Sequence, residues 1–147
     1  MSTITENPRW NNIGYWNHDA ARQYPDRVAI IDLSTDVPRQ LLYRDLETRL
    51  DKVARMLTDL GLRAGDRLAM SVGNRFEFVE IFFGAMRAGI VPVPLNTKQG
   101  ADTLDYIMRD SEVQGAVVEQ SANPHVAGLA DAIGCKVRLA LDVSLPG

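Results

Sequence analysis

The sequence contains very few residues of the kinds that bind metals or form disulfides. Among its 147 residues there is one cysteine, Cys135, and there are two histidines, His18 and His125. A single cysteine excludes an intramolecular disulfide, and these three side chains lack the spacing of a zinc site or of a nucleophile with its base. We therefore predict no metal site and no catalytic residue in this chain, and we interpret Cys135 as a small buried side chain and His18 as a solvated one.

Long apolar runs and long basic runs are also missing. Residues Met1 to Asn7 are polar and lack the apolar stretch of a secretory signal, and no later run is long enough to span a membrane. The net charge is −3, and no cluster of Lys or Arg has the length of a nucleic-acid footprint. We predict a cytoplasmic protein with neither a membrane span nor a nucleic-acid partner.

The composition that remains is ordinary for a folded protein. Hydrophobic residues make up 46% of the chain and charged residues 24%, and the length suits one domain with one core. We find no internal repeat and no linker. We expect residues 1–147 to form a single domain.

The first part of the sequence predicts a short helix and a hairpin. Tyr15 to Gln23 suits a helix that Pro25 ends. Val28 to Ile31 and Arg39 to Leu42 suit strands, and the polar stretch between them, from Ser34 to Pro38, suits their connection. A small hairpin near the start is expected.

The next segment has helical periodicity. Its pairs Asp45 with Arg49 and Asp51 with Arg55 predict ion pairs along a solvated face. Gly61 is placed to end the helix in a left-handed conformation. The apolar positions that recur at helical spacing are Leu46, Leu50, Val53, Ala54, Leu57 and Leu60.

Strands and helices alternate in the rest of the chain, which predicts an α/β fold with a mainly parallel sheet flanked by helices. Pro92 and Pro94 cannot donate to a ladder, so their strand should lie at a sheet margin. The strands are expected at Arg67 to Val72, Ile90 to Val93, Gly115 to Glu119 and Lys136 to Asp142, and the helices at Arg75 to Arg87, Gly100 to Ser111 and Pro124 to Ile133. The chain stops after the last of these strands, at Leu145 to Gly147.

Two segments resemble the first two core motifs of adenylate-forming enzymes. Leu41 to Leu46 (Leu-Leu-Tyr-Arg-Asp-Leu) is similar to Leu-Thr/Ser-Tyr-x-Glu-Leu, with two substitutions. Met86 to Asn96 (Met-Arg-Ala-Gly-Ile-Val-Pro-Val-Pro-Leu-Asn) is similar to Leu-Lys-Ala-Gly-x-x-x-x-Pro-Leu/Ile-Asn/Asp. In their order and spacing, they resemble the start of an acyl- or aryl-CoA synthetase, the AMP-dependent acid–CoA ligases of the adenylate-forming (ANL) superfamily.

The resemblance implies an N-terminal piece of a longer ligase. In that family the full-length enzyme uses ATP, Mg²⁺, CoA and a carboxylic acid, and the residues that bind them lie in later segments. The chain should therefore be inactive alone, and its partner would be the remaining C-terminal part of the same enzyme. Apolar surface left uncovered in such a piece predicts self-association.

Three loops and helix starts have a further interpretation. In the first motif Leu42 replaces the Thr or Ser that could cap the helix. Asp45 keeps a negative charge in the first turn, where the helix dipole stabilises it. Asn96 and Thr97 are expected to turn the chain and cap the next helix, and Asn123 is expected to cap the helix that starts with Pro124. The loop that contains His125 follows a parallel strand, where open sheets receive ligands. The resemblance implies that CoA approaches this part of the fold, so His125 is a candidate for contact with CoA.

Two other readings remain open. One is a free-standing binding or interaction module of the same fold without chemistry. The other is a flavodoxin-like nucleotide-binding domain, which the absence of a Gly-rich first strand-to-helix turn disfavours.

Overall fold

The computed structural model describes residues 11–141, in which six strands and five α-helices follow one another. A short 3-10 turn at Ile13–Tyr15 precedes the first helix, so the predicted helix from Tyr15 begins three residues later. The predicted end of the chain at Leu145 to Gly147 lies outside the described residues. The elements are α1 (His18–Gln23), β1 (Val28–Asp32), β2 (Arg39–Leu42), α2 (Tyr43–Asp59), β3 (Arg67–Ser71), α3 (Phe76–Arg87), β4 (Val91–Pro94), α4 (Ala101–Asp110), β5 (Gly115–Val118), α5 (His125–Ile133) and β6 (Val137–Ala140).

The strands form a parallel sheet and a separate hairpin. The four-stranded sheet has the order β4-β3-β5-β6, and β1 pairs with β2 in an antiparallel hairpin. All three pairings of the larger sheet are parallel. The predicted α/β class and the hairpin are confirmed. The strand that contains Pro92 and Pro94 lies at the sheet edge, as their missing N–H groups require.

Helices cover both faces of the parallel sheet. Alternate residues of β3 point to opposite sides: Met70 packs with α2 and α3, whereas Ala69 packs with α4 and α5. A third cluster joins the hairpin to α2 and α3 through Leu41, Leu46 and Phe76. Helix α2 thus supports both the hairpin and the large sheet.

Glycines with positive φ mark two helix ends. Gly61 follows α2 at φ +102°, which confirms its predicted left-handed role, and Gly89 follows α3 at φ +72°. A side chain at position 89 would also meet the Cβ of Ala64 at 2.9 Å. The second motif therefore turns tightly from α3 into β4.

The predicted ion pairs along α2 are wrong. Arg49 bonds instead to Glu80 Oε1 on α3, at 2.8 Å, and Asp51 accepts a bond from Arg87 of α3, also at 2.8 Å. These two ion pairs connect α2 to α3, so Arg49 and Asp51 bond across the helix pair and not along the surface of α2. Two charged residues of α2, each about half exposed, therefore pair with buried charged residues of α3.

Within residues 11–141, none of the helices combines the length and the apolar character needed to cross a membrane.

Candidate functional site

The carboxyl ends of the parallel strands bring three loops together. Glu119, directly after β5, reaches the loop after β3: its Oε2 accepts the Gly73 amide at 2.7 Å and its Oε1 accepts Arg75 Nη1 at 3.1 Å. The Glu119 side chain is only 15% exposed. This edge is where open α/β sheets receive ligands, and here a carboxylate joins its loops.

Asn123 joins the loops after β4 and β5. It is buried, its Nδ2 donates to the carbonyls of Thr97 and Gln99 at 3.1 and 3.2 Å, and its Oδ1 accepts the His125 amide at 3.0 Å. Asn123 thus accepts the first amide of α5, as the predicted cap would, although the N-cap position of that helix is Pro124. The additional link to the loop after β4 was not predicted, because Asn123 is far from Thr97 and Gln99 in the sequence.

For Asn96 and Thr97, the predicted turn is confirmed and the predicted helix cap is wrong. Asn96 does turn the chain, since its Oδ1 accepts the Lys98 amide at 3.0 Å and its carbonyl accepts the Gln99 amide at 3.0 Å. The N-cap of α4 is Gly100, however, and no side chain caps there. The turn from Asn96 is completed before the helix begins.

His125 is exposed and begins α5. Its place at the carboxyl edge agrees with the predicted location, but its amide is already bonded to Asn123. Contact between His125 and CoA stays a prediction.

A second charged cluster joins the hairpin to α3. Asp32 accepts bonds from Arg39 Nη2 at 2.5 Å, from the Ser34 amide at 2.8 Å and from the Phe76 amide at 3.1 Å. The bonds from Ser34, followed by those from Phe76 and Arg39, hold the pKa of Asp32 far below its ordinary range, although burial opposes them. Asp32 is therefore ionised, and its carboxylate accepts the backbone amide of Phe76 at the start of α3.

Arg75 and Glu77 extend this cluster. Arg75 donates to both oxygens of Glu77, at 2.7 and 3.2 Å. Burial alone would raise the pKa of Glu77, but the Arg75 bond outweighs it and lowers that pKa, and Glu77 in turn raises the pKa of Arg75. The guanidinium of Arg75 is thus occupied by carboxylates of this same chain.

The most buried charge lies in the second motif. The Arg87 side chain is fully inaccessible to solvent, its Nε donates to the Gly14 carbonyl at 2.8 Å, and its Nη2 donates to Asn17 Oδ1 at 2.8 Å. Its guanidinium also lies 4.6 Å from the ring centroid of Tyr15. Arg87 therefore fastens the segment before α1 onto α3.

Two acidic residues of α2 complete the Arg87 network. Glu47 Oε2 accepts from Nη2 at 2.6 Å, and Asp51 Oδ1 accepts from Nη1 at 2.8 Å. The other oxygen of Glu47 lies 2.7 Å from His18 Nδ1. The prediction of a solvated His18 is wrong, because the α1–α2 contact places it against Glu47. In the sequence, the signal that could have indicated this network was Arg87, the basic residue of the second motif.

Cys135 is buried, and burial raises the pKa of its thiol. Its Sγ lies 3.9 Å from the Val113 carbonyl. The interpretation as a small buried side chain is confirmed. Across residues 11–141, no three His, Cys, Asp or Glu side chains gather in a metal-binding arrangement.

Comparison with known proteins gives the family. A family model described as AMP-binding enzyme matches residues 17–145. The chain belongs to this AMP-binding enzyme family. The predicted resemblance to adenylate-forming ligases is confirmed, and both motifs of this AMP-binding chain fold as structural turns: the first leads from β2 into α2, and the second leads from α3 into β4.

Individual relatives are ligases and adenylating enzymes. The chain is 36% identical over 100 residues to a long-chain-fatty-acid–CoA ligase, FadD13, of Mycobacterium tuberculosis, covering 68% of this chain and 20% of that protein. It is 34% identical over 118 residues to a salicylyl-CoA synthase / salicylate adenylyltransferase of a Streptomyces species, covering 75% and 21%. The chain thus spans about a fifth of these relatives.

A solved structure shares the fold. The Mycobacterium tuberculosis fatty acyl CoA synthetase superposes with a TM-score of 0.82 at 29% identity, covering 92% of this chain and 28% of that one. The parallel sheet, its helices and the hairpin therefore belong to the fold of this AMP-binding family.

Proposed function

We propose that this chain is the N-terminal part of an ATP-dependent carboxylic acid–CoA ligase. The whole enzyme would join an acid to ATP as an acyl-adenylate and then transfer the acyl group to CoA. The observation that carries the proposal is the family match over residues 17–145, together with a second motif that folds as the turn from the end of α3 into β4. The two relatives described above use a fatty acid and salicylate, so the proposal extends to carboxylic acids as a class.

The role we propose for the chain itself is a scaffold without activity. At the carboxyl edge, the guanidinium of Arg75 bonds to Glu77 and Glu119. Cationic groups stabilise phosphate charge in adenylation only where the phosphates can reach them. The described residues do not fit a magnesium–ATP site, so ATP, Mg²⁺ and CoA would be held by the remaining C-terminal part of the enzyme, with which the chain would act as one domain in the cytoplasm.

ATP–pyrophosphate exchange tests this proposal. The 147-residue chain should give no exchange with any of a panel of fatty, aromatic and short-chain acids. A protein expressed from the same reading frame, extended to the full length of the relatives, should give exchange that depends on one class of acid. Exchange by the 147-residue chain alone would contradict the scaffold role. A reading frame that ends at Gly147 in the native gene would favour the alternative of a free-standing binding module.

His125 gives a separate test of the CoA contact. In the extended enzyme, we expect His125→Ala to raise the KM for CoA severalfold and to leave pyrophosphate exchange unchanged, because that half-reaction does not use CoA. His125→Gln retains a hydrogen-bonding side chain and serves as the matched variant. An unchanged KM for CoA in both variants would remove His125 from the site.

A further inference from the structure

A strap of residues crosses the helix pair formed by α2 and α3. The strap runs from Asn12 to Gln23 and contains the 3-10 turn and α1. Its 3-10 turn contacts α3, and α1 contacts α2. The chain is fixed again just after the strap, where the Pro25 carbonyl accepts the Arg44 amide of α2 at 3.2 Å. The strap therefore lies on the helix pair and ends at this anchor.

Little apolar area holds the strap in place. Its buried residues are Gly14, Asn17 and Ala21, whose side chains are small or polar. The larger apolar side chains of Ile13 and Trp16 are 66% and 47% exposed. Buried apolar area is the main source of stability, and segments that bury little of it open at a low free energy. Apolar packing therefore holds the strap weakly.

The polar attachments of the strap converge on Arg87. The Nε of Arg87 donates to the Gly14 carbonyl and its Nη2 donates to Asn17 Oδ1, both at 2.8 Å. Asn12 Nδ2 donates to the carbonyls of Met86 and Arg87, at 2.8 and 3.4 Å. These hydrogen bonds all end on two consecutive residues of α3, so the strap is fastened at one place.

Arg87 does not depend on the strap for compensation of its charge. Its Nη2 also donates to Glu47 and its Nη1 to Asp51, and both carboxylates belong to α2. His18 of the strap adds one contact with Glu47. A buried charge without any partner is strongly unfavourable, but Arg87 would keep two carboxylates if the strap left. Opening of the strap is therefore compatible with a folded helix pair.

One group of the strap is better solvated when the strap is open. Asn17 is fully buried, and within the described part of the chain its Nδ2 has no hydrogen-bond partner. A buried donor without a partner costs free energy, which contact with water recovers. The closed strap thus carries a penalty that opening removes.

We propose that the strap is a detachable element of this fold, with Arg87 as its latch. Residues 12–23 leave the helix pair as one unit and turn about the Pro25 anchor, while α2, α3 and the sheet stay folded. Release exposes the Arg87 guanidinium and the side of Phe83 that contacts Trp16, with ring centroids 5.3 Å apart. The strap thereby controls access to the end of α3, from which the second motif turns into β4.

Hydrogen exchange of the 147-residue chain, followed by mass spectrometry at several low urea concentrations, tests the proposal. The amide of Ala21, which donates to the Asn17 carbonyl at 2.8 Å, is one reporter of the strap. We expect protection factors in the strap to be at least about tenfold lower than in α2 and α3, and nearly independent of urea, because a local opening exposes little surface. Strap amides with the protection and the urea dependence of α2 and α3 overturn the proposal.

Gly14→Ala forces the strap away from its latch. A Cβ at position 14 would lie 2.6 Å from the Arg87 amide nitrogen and 2.9 Å from the Phe83 carbonyl oxygen. The strap amides should then exchange near the rate of an unstructured chain, while α2 and α3 stay protected. Gly128→Ala, with nothing within 4 Å of its new Cβ, is the matched control and should leave the strap as protected as in the wild type. Complete loss of protection in the strap, α2 and α3 alike contradicts a separate unit.

Asn12→Asp decides the outcome if Gly14→Ala does not fold. Aspartate can still accept the Gly14 amide, as Asn12 Oδ1 does at 2.8 Å, but it cannot donate to the Met86 carbonyl. Protection of the strap should fall severalfold with the circular dichroism spectrum unchanged, and wild-type protection in this variant overturns the latch. These measurements need no ligase activity, so the strap and the proposed function fail separately.

Discussion

Arg87 and Glu47 are joined twice, by Nη2 to the carboxylate oxygen at 2.6 Å and by Nη1 to the Glu47 backbone carbonyl at 3.2 Å. The pair connects α3 to α2, and the remaining donors of Arg87 reach Gly14, Asn17 and Asp51. The basic position of the second motif is therefore structural in this chain. Arginine at this position supplies more donors, in a fixed planar fork, than the lysine of the family motif would.

We expect Arg87→Lys to lower the free energy of unfolding by about 2 kcal/mol, because lysine keeps the charge but cannot reach all these acceptors, and hydrogen bonds to charged groups contribute about 1.5–3 kcal/mol. Urea unfolding measures the change. Arg109→Lys is the matched control, since Arg109 pairs with Asp105 on an exposed helix face at 2.9 Å. That change should cost less than about 0.5 kcal/mol. Equal losses in the two variants would contradict the role of the buried network.

Acid should destabilise the fold through Glu47. Burial would raise the pKa of Glu47, but the bonds from Arg87 and then His18 lower it below the ordinary value of 4.5. The unfolded chain therefore takes up the proton first as the pH falls. The stabilisation is complete above pH 4.5 and is lost as the pH drops toward the lowered pKa. The pKa values of Asp32 and Glu77 are lowered too, so they add to this loss.

Chemical unfolding between pH 7 and pH 3 checks this dependence. Glu47→Gln should be less stable at neutral pH and should lose less stability on acidification. Asp59→Asn, on the exposed end of the same helix, should keep the full acid loss of the wild type. A Glu47→Gln variant whose stability follows the wild-type pH curve would show that another group controls it.

The sequence predicted the order of elements well, because local patterns determine them. The prolines of β4 and the glycines after α2 and α3 set edges and ends through their own backbone limits, which need no neighbour. Each predicted helix and strand within the described residues was found, with bounds that differ by a few residues at most.

The candidate site was predicted poorly, because its contacts join residues far apart in sequence. Helical spacing assigned Arg49 and Asp51 to partners on α2, whereas burial of the α2–α3 interface gave them Glu80 and Arg87. Ion pairs within a helix surface contribute only a few tenths of a kcal/mol, so tertiary packing easily replaces them. The His18–Glu47 contact was missed for the same reason.

The α2–α3 interface depends on Gly84. A Cβ at this position would lie 2.6 Å from Val53 Cγ1 and 3.2 Å from the Leu50 carbonyl. Gly84→Ala should therefore destabilise the fold by about 1–3 kcal/mol, although alanine is the better helix former. Gly128→Ala, in α5 with nothing within 4 Å of the new Cβ, should instead stabilise by about 0.5–1 kcal/mol. Thermal unfolding of both variants checks this contrast, and a stabilised Gly84→Ala variant would contradict the close approach.

Leu42 is the N-cap residue of α2 and supplies no capping bond. The amides of Tyr43 and Arg44 already donate to the carbonyls of Arg27 and Pro25, at 3.0 and 3.2 Å. A threonine at position 42 would therefore serve mainly the Asp45 amide, and we expect Leu42→Thr to stabilise by about 0.5 kcal/mol, the low end of the usual value of a cap. Leu42→Val has the shape of threonine without its oxygen, so the difference in melting temperature between the two variants isolates the cap. A valine variant as stable as the threonine variant would show that the carbonyls of Pro25 and Arg27 already satisfy this helix start.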